Sequence, residues 1–235
     1  MFSNEKNGFS EMLEDTLSNL HIHHKDSYLY TIKSVWNNRH PYEKMYGSEK
    51  LLLVSLIFTK LLMPSFWVRH YTEKKESYSW ALDLYHFCIP LLFFIILINH
   101  RDNSIIIMIL VTYLLVDLFI SILSSLLLSD IFVKKLSIRK QFISLACNLG
   151  EMIFGFALLY QHYNALAYLS QPEQSVHALG AIYYTLATLT TVGYGDIGAI
   201  NTNGMIISTI QMLYGLIFMG IVLSAYFSKV NLRAE

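Results

Sequence analysis

From Ser104 to Ser129 the chain runs through aliphatic and aromatic residues with no lysine or arginine, and Asp117 is its only charge. About 20 apolar residues are enough for a helix to cross a bilayer. A run of this length leaves few soluble alternatives. Four more apolar stretches accompany it: Leu51 to Val68, about Leu82 to Asn99, about Gln141 to Tyr160, and Gly204 to Phe227. In chain order the third, fourth and fifth reach spanning length. The second is shorter and carries Asp83 near one end, and Lys60 and Pro64 interrupt the first. Composition agrees, with 54% hydrophobic and 14% charged residues, against about 25% charged in soluble domains. The expected class is an all-α membrane protein, multi-pass in the cell membrane, with the lipid bilayer as its partner. Formal net charge is zero, so no basic field marks a nucleic-acid partner. Cys88 and Cys147 sit inside apolar runs and read as small buried hydrophobes.

Four sections follow from this layout. Residues 1–50 form a polar tail in which Phe9, Met12, Leu13, Leu17 and Leu20 recur at helical spacing, a possible amphipathic helix. No cleavable signal peptide is visible there. His21, His23 and His24 lack the companions that a metal site needs. Residues 51–133 hold the first three apolar stretches, 134–228 the last two, and 229–235 a short cytoplasmic tail, after which no ligand-binding domain is expected.

Between the last two stretches lies a semi-polar insertion, 161–203. Pro172 and Ser175 mark a helix start, and Val176 to Leu189 reads as a short helix of about 14 residues, or about 21 Å. That is too short to span but long enough to reach the middle of a membrane. The string Thr188-Leu189-Thr190-Thr191-Val192-Gly193-Tyr194-Gly195-Asp196 follows it. An extended strand points successive carbonyls to opposite sides; turning them all one way requires positive φ at some residues, which Gly193 and Gly195 accept at little steric cost. Thr191 adds a hydroxyl, while Val192 and Tyr194 project to the other side. Read alone, Gly193-Tyr194-Gly195 is a loop turn; its place between two spanning helices argues otherwise.

Here the chain resembles the potassium-channel family, whose Thr-Val-Gly-Tyr-Gly filter it carries in full. The resemblance covers roughly 141–228. It implies an outer helix, pore helix, filter and inner helix, preceded by two or three additional transmembrane or interfacial helices. It further implies a potassium-selective pore of four identical subunits, since the chain holds one pore hairpin and no internal repeat. Potassium would sit at Thr191, Val192, Gly193 and Tyr194, with no other cofactor, and Asp196 would end the filter. Tyr183, Tyr184 and Thr190 would support it, the two tyrosine rings packing outside Tyr194 and a Tyr183 hydroxyl bonding to Asp196. Ala187 stands where some relatives place a glutamate, so a carboxyl pair behind the filter is absent. Gly215 lies 20 residues after Gly195, matching the family's inner-helix hinge, with Gly220 as a second small position. Both also suit close helix packing. Leu216, Met219, Leu223 and Phe227 share one helical face, assigned to cavity and gate, with ordinary helix packing as the alternative.

No stretch places basic residues at every third position, so 51–133 is read as an accessory bundle and not a voltage sensor. Asp117 and Glu151 are acids deep in apolar helices, read either as functional groups or as hydrogen-bonded carboxyls that help helices associate. Lys134, Lys135, Arg139 and Lys140 put the start of the fourth stretch inside. The side of the tail depends on whether Leu51 to Val68 spans. A non-selective cation channel and a non-conducting partner subunit are the competing functions, and the intact filter argues against both. Nothing resembles a nucleophile–base pair or a phosphate loop, so no enzyme is expected.

Overall fold

The computed structural model describes residues 47–68, 79–99, 104–127 and 138–231. The possible amphipathic helix, the three tail histidines and Lys134 and Lys135 lie outside the described residues. The chain divides into two units, Met1–Thr59 and Lys60–Glu235. In the first, the described residues are 47–59, most of α1, Ser48–Leu61, whose last two residues fall in the second unit. Two of its hydroxyls are absorbed locally: Ser55 and Thr59 return theirs to carbonyls one turn back, at 2.8 and 3.0 Å, a bond that lets them sit in an apolar helix.

In the second unit the first apolar stretch is broken where Lys60 and Pro64 interrupt it. α1 ends at Leu61, and a separate helical turn covers 64–68. Proline lacks an N–H and starts a helical turn more readily than it continues one. Three long helices follow: α2 Ser79–Ile98, α3 Ile105–Leu127 and α4 Ile138–His162. α2 packs mainly on α4, and α3 also packs there. The three come together at Gly155, where a Cβ would lie 2.8 Å from Leu115 and 3.0 Å from Phe93. Small residues at such crossings let helices approach without a driving force from water.

The acids sit inside this bundle. Asp117 accepts hydrogen bonds from the Ser65 backbone N–H (3.2 Å), the Ser65 hydroxyl (2.5 Å) and the Tyr85 hydroxyl (2.9 Å). It therefore fastens the 64–68 turn and α2 to α3. Glu151 on α4 is equally buried, within electrostatic reach of Asp117. Nearby, Lys60 donates to the Ser124 hydroxyl at 2.9 Å.

After α4 the chain forms β1 Leu166–Tyr168 and β2 Gln171–Ser175, then α5 Ala178–Leu189, β3 Ile197–Ala199 and α6 Thr202–Asn231. The strands make one antiparallel sheet ordered β2-β1-β3, with Leu166 opposite Ala199 and Tyr168 opposite Ile197. This small sheet is an addition to the one short helix read in the insertion, and the protein as a whole is mainly helical, as expected. It also moves a boundary: Pro172 and Ser175 belong to β2, and α5 starts at Ala178, capped by His177, whose Nδ1 accepts from Gly180 N–H at 3.0 Å. α6 is capped by Asn201, whose Oδ1 accepts from Gly204 N–H at 2.7 Å.

Among the described residues, α3, α4 and α6 each hold a segment long and apolar enough to cross a membrane: Ile105–Ser124, Phe142–His162 and Thr202–Gly220. The apolar part of α2 and the whole of α5 are shorter. Tyr214 of α6 sits where α3 and α4 meet, against Phe119 and Phe156, with its hydroxyl donating to the Leu115 carbonyl at 2.9 Å.

Candidate functional site

The C-terminal end of α5 sets the geometry of the string that follows. Thr190 caps the helix, its N–H reaching the Leu186 carbonyl at 2.9 Å and its hydroxyl the same oxygen at 2.8 Å. The next turn is tight. Val192 N–H and Gly193 N–H both donate to the Ala187 carbonyl, at 3.0 and 3.2 Å. The described peptides are all trans, and a trans peptide sets its carbonyl opposite its N–H. The Thr191 and Val192 carbonyls therefore point away from the Ala187 carbonyl that ends α5.

Backbone handedness continues the pattern. Thr191, Gly193 and Gly195 take φ of +59°, +55° and +76°. Every second residue is left-handed, which removes the side-to-side alternation of an extended strand. Positive φ at the two glycines matches the sequence expectation. Positive φ at Thr191 does not follow from composition, because a β-branched residue resists it. Strain held at such a residue is a mark of function more often than of accident.

The side chains face the other way or stand free. Tyr194 stacks on Tyr183, ring centroids 5.9 Å apart and planes 12° from parallel, yet 70% of Tyr194 is exposed. Val192 is 53% exposed. The Thr191 hydroxyl donates to the Thr190 carbonyl at 2.7 Å. At the far end, the Asp196 carbonyl accepts from Leu169 N–H at 2.9 Å, continuing the β1–β3 pairing, and its carboxylate accepts from Ile197 N–H at 3.1 Å.

Tyr183 and Tyr184 separate. Tyr183 lines an open cleft with Asp196, Tyr168 and His177. Its phenol is pushed above its ordinary pKa, first by partial desolvation and then by hydrogen bonding to, and the charge of, Asp196. Tyr184 turns inward instead: its ring meets Tyr160 edge-on at 5.2 Å and its hydroxyl lies 3.0 Å from Ser208 Oγ. Consecutive residues on a helix do not share a face, so one of the pair had to leave Tyr194.

On α6, Leu216 and Met219 are exposed, Met219 at the rim of a cleft shared with Leu149, Leu186 and Leu189. For Leu223 and Phe227 the structure describes only the backbone, within α6. The helix is continuous through Gly215 and Gly220. A Cβ at Gly215 would lie 3.2 Å from Leu189, whereas nothing is within 4 Å at Gly220. Close packing, one of the two roles read for Gly215, is thus present.

The sequence reading passed over a buried polar group beside the string: Tyr160, Thr185, Ser208 and Gln211. Ser208 and Gln211, three residues apart in an apolar helix, were the available signal. Among the described residues no three acidic, histidine or cysteine side chains gather as a metal site. The oxygens that the string itself presents are its backbone carbonyls, the Thr191 hydroxyl and the Asp196 carboxylate.

The ion-channel family matches residues 150–231. Residues 150–231 are an ion-channel domain. The potassium channel AKT2/3 of Arabidopsis thaliana is 40% identical over 53 residues, 23% of this chain and 7% of that protein. The resemblance to potassium channels read from Thr188 to Asp196 is shown by these two matches. No solved structure matches the chain. The channel domain thus begins within α4, takes in the sheet, α5 and the glycine string, and ends on α6. With its spanning helices it makes the chain a membrane protein.

Proposed function

We propose that this chain is one subunit of a potassium-selective channel in the cell membrane, with four copies around one pore. One observation carries the reading: left-handed φ at Thr191, Gly193 and Gly195, with the Val192 and Gly193 amides hooked back onto Ala187. Four such strands about an axis stack their carbonyls into oxygen rings that replace the hydration shell of a potassium ion. The ions sit at Thr191, Val192, Gly193 and Tyr194, and the Thr191 hydroxyl joins the innermost ring. α5 ends beneath them, where its C-terminal partial negative charge favours a cation.

One chain contributes one string, so neighbours complete the rings. The exposure of Val192 and Tyr194 supports this, because large side chains behind a conducting path need cover. Leu216 and Met219, with Leu223 and Phe227 farther along α6, line the cavity and gate, and Gly215 and Gly220 let α6 adjust. Residues 51–133 serve as an accessory bundle that touches the pore through Tyr214. The test is flux from purified protein in liposomes, potassium against sodium, with the mass in mild detergent. Potassium flux with sodium exclusion and a mass of about 108 kDa, four times 27.1 kDa, supports the reading. Equal fluxes of both ions, or full flux from a monomer, overturns it.

A further inference from the structure

A chain of buried polar side chains joins three helices beside the conduction path. The Tyr160 hydroxyl of α4 donates to Gln211 Oε1 of α6 at 2.8 Å. Gln211 Nε2 donates in turn to the Thr185 carbonyl of α5 at 2.9 Å. Ser208 Oγ, one turn before Gln211, lies 3.0 Å from the hydroxyls of both Tyr160 and Tyr184. Tyr160, Thr185 and Gln211 are 1%, 0% and 0% exposed.

The chemistry fixes which way Gln211 faces. A carbonyl only accepts, so the amide NH₂ must meet Thr185, and its oxygen then meets the donor, Tyr160. A buried amide used at both ends resists rotation and sliding alike, since either movement leaves a polar group unpaired.

Thr185 stands two residues before Ala187, whose carbonyl holds the Val192 and Gly193 amides. Those amides determine where the Thr191 and Val192 carbonyls point. A displacement of Gln211 therefore reaches two oxygen rings through the rigid backbone of α5, with no side chain in between.

We propose that Gln211 is a positioning residue of the conduction path: it sets the height and rotation of α5 against α6, and ion selectivity depends on it. The inference rests on the reading of the chain as a potassium pore. A residue that merely held helices together would alter stability and leave the ratio of permeant ions untouched.

The full-length chain is purified and reconstituted in liposomes, and the potassium-to-sodium flux ratio is measured beside the thermal midpoint of the assembled protein. Gln211→Leu lowers the ratio about tenfold, the equivalent of one buried hydrogen bond of about 1.4 kcal/mol. Tyr160→Phe, which strips the donor from Gln211 and keeps the ring, lowers it about threefold, and combining the two adds little to Gln211→Leu. A conducting Gln211→Leu protein with the wild-type ratio overturns the inference whatever its midpoint. Should Gln211→Leu fail to assemble, a wild-type ratio in Tyr160→Phe overturns it instead. If wild-type liposomes carry no potassium, the potassium-pore reading falls and takes the inference with it. If wild type conducts and the variants match it, only the inference falls.

Discussion

Replacing Gly193 or Gly195 by alanine tests the backbone argument most directly. At each site an added Cβ has no heavy atom of the described residues within 4 Å, so among them the substitution introduces no clash. What remains is handedness: φ is +55° and +76°, and an L-residue there costs about 1–2 kcal/mol. In the proposed ring of four the cost would be repeated, about 4–8 kcal/mol for one layer of oxygens. A chain can relieve it by returning φ to negative values, which swings a carbonyl off the axis and removes one coordinating layer. Either route damages the site. Gly47 supplies the control, since its φ is +63° with nothing within 4 Å, and it lies far along the chain from the string. Gly47→Ala should bear the same cost per chain and leave ion discrimination alone. The assay is potassium and sodium uptake by liposomes carrying each variant, with detergent-phase mass to confirm assembly. Loss of potassium flux or of sodium exclusion in Gly193→Ala and Gly195→Ala, but not Gly47→Ala, is expected. Normal potassium uptake and sodium exclusion in both string variants would refute the reasoning.

Other perturbations separate the supporting parts. Tyr183→Phe removes the hydroxyl that faces Asp196 and keeps the stacked ring, so current should decay during sustained opening; unchanged currents mean something else holds Asp196. The Tyr183 pKa is raised, so its neutral-phenol contribution is complete below the ordinary phenol value of about 10 and is lost as pH rises through the higher folded value. Current should accordingly resist external alkalinisation up to about pH 10, and recordings across pH 8 to 11 check it. Asp117→Leu leaves the Ser65 N–H, Ser65 hydroxyl and Tyr85 hydroxyl without their acceptor and should cost about 3 kcal/mol in stability, read as a lowered melting midpoint in detergent. Gly215→Ala should disturb the Leu189 contact and lower that midpoint, while Gly220→Ala, with nothing within 4 Å among the described residues, should raise it, the gain being up to about 1 kcal/mol per chain through helix propensity.

The spanning helices were legible because hydrocarbon leaves so few choices: an apolar run of sufficient length becomes a helix, and the observed ends fall within a few residues of the runs. The glycine string was legible because its residue types meet a backbone demand that few others meet. The sheet was not. Leu166–Tyr168 and Ile197–Ala199 are three residues each, too short for a period of two to register, and their pairing is fixed by tertiary contact. The start of α5 was misplaced because Ser175 is a favoured cap and histidine is not; the Nδ1 of His177 took the role through its position. Thr191 was read for its hydroxyl, whereas its left-handed backbone opposes its own propensity and is invisible to it. Tyr184 was open to correction from helix geometry alone, since it could not share a face with Tyr183.

The six residues from Thr191 to Asp196 are moored at their two ends by unrelated parts of the chain. The inner end hangs from the Ala187 carbonyl at the close of α5, and the outer end from Leu169 N–H at the edge of the small sheet. Damage to either mooring should therefore have its own tempo and signature. Cutting or unravelling the 166–175 hairpin releases the Asp196 end first, so the outermost of the proposed ion positions would blur while the innermost stayed sharp. Loosening α5 would do the reverse. Two kinds of wear on one pore would then be distinguishable by the side from which a blocking ion regains access.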